Sequence, residues 1–371
     1  MNPKPLTIDE LERRLAALPR VQLGAWPTPL EAAERLSGAW GGPRILVKRD
    51  DLSGLALGGN KVRHLEFRMG MALAQDCDVV VMAREPYSNN ARQTAAAAAR
   101  LGLRMVLLIP SEQPVPIQGN RLLEELLGAD VRVIPTTDPA AVRAAVREVV
   151  AAERASGHRP FDNDGELPDV YGLLGYVAGA AELARQCQER GIALAAVYIA
   201  AGFSHAGLAL GARLLGLPWQ VVGVAVELRR PELVPRQLAA ADEVCRRLGL
   251  ANPLGPDSFE IAEAPLGAGF QDITPDVPRM LAEAARLEGL ILDPIYTAKV
   301  AIGLKADARA GRWGRDDQVV LIHSGGVPAL FSFADRLVAD PVGSRQDLPS
   351  AHSDAGHLAG GGNIGAASNR I

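Results

Sequence analysis

The chain has 371 residues, 48% of them hydrophobic and 22% charged, so it can bury a large core and is not disordered as a whole. At a typical 150 residues per domain, that length corresponds to about two to two and a half domains, which excludes a small stapled scaffold. Thirty-nine basic residues against 43 acidic ones leave a formal net charge of −4, and no basic stripe supports nucleic-acid binding.

The amino-terminal arm, Met1 to Leu15, carries Asp9, Glu10 and Glu12 and no apolar stretch of signal-peptide length. A first strand is predicted at Arg44 to Lys48, followed by a helix carrying Leu65, Phe67 and Met69. Strands at Asp78 to Met82, Met105 to Ile109 and Val131 to Ile134 then alternate with helices at Asn89 to Leu101, Gly119 to Leu127 and Pro139 to Ala155. A polar stretch rich in Pro, Asp, Asn and Gly, Gly157 to Asp169, marks the best internal boundary. Beyond it come strands at Ala196 to Ala200, Val221 to Val226 and Gln318 to His323. Helices are predicted at Tyr171 to Arg190, Ser204 to Leu215, Pro231 to Leu248, Pro275 to Leu287 and Thr297 to Ala310. Alternating strands and helices, with near-continuous apolar runs such as Val221 to Val226, predict an α/β protein whose parallel strands are buried on both faces. The tail from Gly343 to Ile371 lacks periodic apolar positions and is expected to be disordered.

Three widely spaced cysteines, Cys77, Cys187 and Cys245, argue against a disulfide framework or a zinc ribbon and for a reducing cytoplasm. No run approaches the roughly 18 apolar residues of a membrane span. None of the histidines (His64, His205, His323, His352 and His357 among them) has metal-ligand spacing, so no metal site is expected. Lysine is scarce: Lys4, Lys48, Lys61, Lys299 and Lys305 are five residues against 34 arginines, so the candidates for amine chemistry are few.

Four strand-to-helix junctions hold chemistry-bearing residues. In Leu57-Gly58-Gly59-Asn60-Lys61-Val62-Arg63, two glycines allow close backbone approach and Asn60 is placed to cap the helix. A lysine on the first turn meets the positive end of the helix dipole, which disfavours its charged form. Read locally, Lys61 is equally a surface lysine after a turn, the commoner role. Ala200-Ala201-Gly202-Phe203-Ser204-His205-Ala206-Gly207 presents free helix N–H groups, a natural phosphate site, but it matches neither a Walker loop nor the dinucleotide fingerprint. Glu227, about twenty residues on, sits where a ribose-binding acid would, which keeps a nucleotide-dependent dehydrogenase as a distant alternative. Ser88, Asn89 and Asn90 bring hydroxyl and amide groups to the carboxyl edge of a sheet, although Ser88 also fits a plain helix cap. His323-Ser324-Gly325-Gly326 repeats the strand-to-glycine arrangement.

Five segments occur in the order found in the D-cysteine desulfhydrase and 1-aminocyclopropane-1-carboxylate deaminase family. They are Gly58-Gly59-Asn60-Lys61-Val62-Arg63, Ser88-Asn89 with Ala91-Arg92-Gln93, His205-Ala206-Gly207-Leu208, Asp293-Pro294 with Tyr296-Thr297 and Lys299, and His323 to Gly326 with Pro328 to Phe331. The chain resembles that family from about Thr28 to Phe333. The resemblance implies pyridoxal 5'-phosphate as cofactor on a tryptophan-synthase-β-like fold of two open parallel-sheet domains. It places a large domain at 1–62 and 173–342, a small one at 63–172, and the tail at 343–371. By the same resemblance Lys61 forms the Schiff base, Asn89 meets the pyridoxal 3′ oxygen, and Ser324 meets the pyridine nitrogen. Gly202, Phe203, Ser204, His205 and Ala206 stand at the phosphate, and Tyr296 and Thr297 lie beside the ring. Catalysis falls to Lys61, Ser88 and Tyr296, and the substrate pocket to Tyr87, Ser88, Asn90 and Phe270.

The departures are specific. Phe203 stands where the family's phosphate loop has a glycine, Arg84-Glu85-Pro86-Tyr87 replaces Gly-Gly-Ile-Gln, and Phe270 replaces a tyrosine whose hydroxyl faces the substrate. Arg84 and Glu85 are expected either to read a second charge on the substrate or to form a solvated pair. The expected activity is α,β-elimination on a small amino acid, releasing a keto acid and ammonia, in a cytoplasmic homodimer with no nucleic-acid or membrane partner. Thr297 after Tyr296 is similar to the desulfhydrase branch, whereas the deaminase branch commonly has glutamate there. β-Replacement, deaminase-like ring opening and a non-catalytic cofactor-binding homologue are the alternatives.

Overall fold

The computed structural model describes residues 4–338. The tail expected to be disordered, with its two histidines, lies outside the described residues. Among the described residues, ten strands lie in two sheets. The larger draws on β1 (Leu30–Ala32), β2 (Arg44–Lys48), β7 (Leu194–Ala200), β8 (Gln220–Val224), β9 (Glu260–Ala262) and β10 (Gln318–Ile322), in the spatial order β1-β2-β10-β7-β8-β9. The smaller consists of β3 (Val79–Ala83), β4 (Arg104–Pro110), β5 (Asp130–Ile134) and β6 (Pro160–Asp162), in the order β5-β4-β3-β6. Every pairing is parallel except β1 with β2.

Helices fill the connections: α1 (Ile8–Ala16), α2 (Glu34–Trp40), α3 (Lys61–Ala74), α4 (Asn89–Leu101), α5 (Asn120–Leu126), α6 (Pro139–Ala155), α7 (Glu166–Arg190) and α8 (Phe203–Leu214). They continue with α9 (Arg230–Leu248), α10 (Asp276–Glu288), α11 (Thr297–Arg309), α12 (Pro328–Ser332) and α13 (Ala334–Val338). The strands missing from the sequence reading, β1, β6 and β9, are three residues each, too short to show a period of two. One of them, β6, lies inside the polar stretch 157–169 and pairs with β3.

Both sheets change winding direction at a strand that carries a site loop. In the small sheet the chain moves outward from β3 through β4 and β5, then returns to the other side of β3. In the large one β10 inserts between β2 and β7. Ligands of open α/β sheets bind at such switch points, beyond the carboxyl ends of the strands. Helix α7 is the shared spine. A Cβ on its Gly175 would stand 2.3 Å from the Arg63 carbonyl oxygen of α3, and one on Gly207 of α8 would stand 2.4 Å from the Leu173 carbonyl oxygen of α7. These close approaches press the helices that begin with Lys61 and Phe203 against one common support.

Candidate active site

Lys61 opens α3 and is half-buried. The loop before it is held from several sides. Gly59 N–H donates to the Asp50 carbonyl at 3.0 Å and to Ser53 Oγ at 2.9 Å, and Asn60 N–H donates to the Ser324 carbonyl at 2.9 Å. Arg92 Nη2 and Gln93 Nε2 of α4 reach the Gly58 carbonyl at 2.8 and 2.5 Å. Gly59 and Gly325 take φ of +128° and +90°, and a Cβ on Gly325 would sit 2.7 Å from the Gly59 Cα, so glycine is required for the approach. The expected Asn60 cap is not made. Asn60 has helical dihedrals and its Nδ2 instead donates to Ser204 Oγ at 3.0 Å, across 144 residues of sequence.

Under this loop lies a buried ionic network that the sequence did not announce. Asp50 accepts from Arg63 Nε at 2.8 Å, Arg63 Nη2 at 2.7 Å, the Tyr176 hydroxyl at 2.7 Å and the Thr28 hydroxyl at 2.8 Å. Arg63 also reaches Glu182, and Lys48 bonds Glu182, Gln186 and the Thr28 carbonyl. Burial alone would raise the Asp50 carboxyl, but Arg63, together with Lys48 and the Tyr176 hydroxyl, outweighs it and holds it at about 2. The network anchors α3 two residues beyond Lys61.

At the second junction, Phe203, Ser204 and His205 contribute first-turn N–H groups that have no acceptor within α8, the ordinary makings of an anion site. A Cβ on Gly202 would meet nothing within 4 Å, so there is room at the helix end. Ser204 Oγ is fixed by Asn60 and by His64 Nε2 at 2.8 Å. Burial drives His64 far below its usual pKa, so it is neutral; with the proton on Nε2, Ser204 keeps its own for an anion. Two residues expected here do otherwise. The His205 ring turns into the core, with Nε2 3.2 Å from the Val221 carbonyl and Nδ1 3.1 Å from Gln237 Nε2, so only its backbone N–H faces the helix end. Ala206 N–H already donates to the Gly202 carbonyl. The Phe203 ring packs against the main core.

The third junction gathers the remaining polar groups. Ser88 caps α4, accepting from Ala91 N–H. Burial pushes Glu85 up, Arg84 opposes this, and Glu227 adds to it. Arg84 and Glu85 are therefore not a solvated pair: Arg84 bonds Asp164, and Glu85 is half-buried, its carboxyl raised by burial. Tyr87 has φ of +68°, and its ring meets Phe333 edge-on at 6.3 Å. Asn90 faces along its own helix, accepting from Thr94 at 3.4 Å. Tyr296 lies 6.3 Å from the Phe270 ring, and burial, followed by Glu85 and Glu227, holds its hydroxyl protonated. Thr297 departs from expectation. It is fully buried, and its hydroxyl is engaged with Asp293, donating to Oδ1 at 2.7 Å and accepting from the Asp293 N–H at 2.6 Å. That aspartate also accepts the N–H groups of Ile295, Tyr296 and Thr297, so the pair shapes the turn that presents Tyr296. His323 is likewise structural, bonding the Ile291 carbonyl and the Gly325 N–H.

A half-buried lysine, a helix end with unpaired first-turn N–H groups tied to the lysine loop through Asn60, and an asparagine and a serine side chain at the neighbouring loops suit a phosphorylated aldehyde cofactor. Comparison with known proteins agrees. Residues 21–325 match the model of the pyridoxal-phosphate dependent enzyme family. A D-cysteine desulfhydrase of Klebsiella pneumoniae is 36% identical over 335 residues, 88% of this chain and 99% of its own. A protein of Pyrococcus abyssi described as a putative 1-aminocyclopropane-1-carboxylate deaminase is 33% identical over 340 residues, 91% of this chain and 99% of its own. The crystal structure of an ACC deaminase homologue superposes with a TM-score of 0.81 at 31% identity, covering 89% of this chain and 98% of that one. A tomato threonine deaminase, at 18% identity and a TM-score of 0.63, shares the fold. The chain belongs to the pyridoxal-phosphate dependent enzymes.

Proposed function

We propose that this enzyme is a lyase that eliminates a β substituent from a small amino acid, in the manner of a D-cysteine desulfhydrase, giving a keto acid and ammonia. The observation that carries the reading is Asn60: its N–H bonds the Ser324 loop and its side chain bonds Ser204, so one residue beside Lys61 joins three parts of the cleft. Lys61 would hold the cofactor covalently. The N–H groups of Phe203, Ser204 and His205 would hold its phosphate, Asn89 its 3′ oxygen and Ser324 its ring nitrogen, with Tyr296 against the ring. Bound pyridoxal phosphate supplies the electron sink for the pair left at Cα when the proton departs.

The protein's own groups do the rest. The Lys61 amine, when not attached to the cofactor, is the base for the α proton. Ser88, seated at the start of α4, would serve the substrate carboxylate and proton transfer, with Tyr87 and Asn90 beside it in the chain. Thr297, in place of an acid, favours elimination over ring opening. A serine hydroxyl at the ring nitrogen, unlike a carboxylate, would not hold that nitrogen protonated, which moderates the sink and favours loss of a β group. Phe270 beside Tyr296 offers no hydroxyl, which points to an altered substrate or a β-replacement. Three buried free cysteines support a cytoplasmic setting. A homodimer, and a division into 1–62 with 173–342 and 63–172, complete the proposal, the two sheets supporting the division.

A panel of D- and L-amino acids with β leaving groups, scored for keto acid and ammonia, tests it. Turnover of D-cysteine or a relative is expected. Silence across both series in cofactor-loaded protein would overturn the lyase reading in favour of a non-catalytic binding homologue.

A further inference from the structure

Asn120, the first residue of α5, is fully buried and makes two hydrogen bonds with one nitrogen. Its Nδ2 donates to the Tyr87 carbonyl at 2.6 Å and to Asn89 Oδ1 at 2.9 Å. A backbone carbonyl can only accept, so the end of the Asn120 amide facing Tyr87 must be the NH2 group. Both of its hydrogens are then committed, and the Asn89 atom that meets the second must be oxygen. The Asn89 amide is thereby prevented from turning over. Its own NH2 points the other way, toward the glycine loop after β10, where a Cβ on Gly326 would stand 3.0 Å from Asn89 Nδ2. That loop also receives the backbone N–H of Asn60, next to Lys61.

The backbone of Asn120 is itself fixed. Gly119 has φ of +53°, and a Cβ there would lie 2.3 Å from Ser332 Oγ and 2.8 Å from the Pro328 carbonyl, so the start of α5 is pressed against α12. A residue from an otherwise separate helix thus sets the polarity of an amide at the cleft.

We propose that Asn120 is a positioning residue, which holds Asn89 with its donor rather than its acceptor turned toward the cofactor. The proposal rests on the reading of Asn89 as the partner of the pyridoxal 3′ oxygen. An anionic oxygen facing N–H is stabilised as the anion; facing a carbonyl oxygen it is not, and its affinity for a proton rises.

The test uses the full chain loaded with pyridoxal phosphate and reads the absorbance of the bound cofactor as a function of pH, together with the cofactor dissociation constant. Asn89→Ala should move the spectral midpoint upward by about one pH unit and weaken cofactor binding about tenfold, the scale of one hydrogen bond to a charged group. Asn120→Asp presents only acceptors when ionised, so it draws the Asn89 NH2 to itself and should move the midpoint in the same direction by at least as much. Asn120→Ala, which merely releases the amide, should give a smaller shift and covers the case in which the aspartate variant does not fold. In an Asn89→Ala background, changing Asn120 should add nothing to the midpoint. If Asn89→Ala shifts the midpoint and the Asn120 variants do not, or if their shift persists undiminished without Asn89, the positioning role is overturned while the Asn89 reading stands. A midpoint indifferent to Asn89→Ala itself overturns both.

Discussion

Arg63→Met removes the guanidinium from the buried network while keeping most of the side chain's volume. Asp50, 1% exposed, loses two of its hydrogen bonds, those from Nε and Nη2, and keeps the hydroxyls of Thr28 and Tyr176. In the native protein a carboxyl held at about 2 instead of 3.8 contributes roughly 2.5 kcal/mol to folding at neutral pH. That contribution is fully present above the unfolded pKa and is lost as pH falls through the folded one. Without Arg63 burial, which disfavours the charged form, is opposed only by Lys48 and the Tyr176 hydroxyl, so the folded pKa should rise and the stabilising contribution should shrink. Removing one partner of a buried pair typically costs about 3–5 kcal/mol, and that cost should be largest near neutrality. Urea unfolding at about pH 7 and about pH 4.5 measures it, with the difference between variant and native protein expected to shrink on acidification. Asp50→Asn added to Arg63→Met should recover part of the loss at neutral pH. A deficit below about 1 kcal/mol, or one that grows as pH falls, would refute the assignment of Arg63 as the group that sustains a buried carboxylate.

Three further outcomes are expected. Ser88→Ala should cost about 1 kcal/mol through the lost cap but lower kcat by about 10²-fold or more if Ser88 takes part in proton transfer; kinetics and thermal unfolding on the same preparation separate the two. Gly325→Ala forces a Cβ to 2.7 Å from the Gly59 Cα. It should cost roughly 1–3 kcal/mol in strain and weaken pyridoxal-phosphate binding, so unchanged affinity by equilibrium titration would contradict the close-approach reading. Phe270→Tyr places a hydroxyl beside Tyr296 and should raise D-cysteine breakdown by about tenfold or more; no change in rate would count against Phe270 as the source of altered specificity.

The parts of the fold that were legible are those whose ends are written in local chemistry. Helix α6 runs over Pro139–Ala155 as predicted because Asp138 caps it and Pro139 fits its first turn. Helix α4 runs over Asn89–Leu101 between the Ser88 cap and the left-handed Gly102. The Lys61 loop was legible too, since the two glycines and the lysine are contiguous. What escaped depends on residues far apart in sequence. Asn60 looked like a cap because a cap is the local use of asparagine, yet its partner Ser204 lies on another helix. His205 adjoins Ser204 in sequence, but a helix turns about 100° per residue, which sends the serine to the cleft and the histidine to the core. Thr297 sits in the right segment, but Asp293, four residues earlier, takes its hydroxyl. Asn120 carried no local signal at all, because its importance comes only from the two loop residues that it bonds. Arg63 stood inside a recognised motif, and only the folded chain brings Asp50, Tyr176 and Glu182 to it.

The most direct measurement is borohydride reduction of the purified, cofactor-saturated protein followed by peptide mapping. A pyridoxyl group is expected on Lys61, and none on Lys4, Lys48, Lys299 or Lys305. An unlabelled Lys61, or a label on another lysine, would contradict the placement of the cofactor at the start of α3 and the catalytic reading built on it.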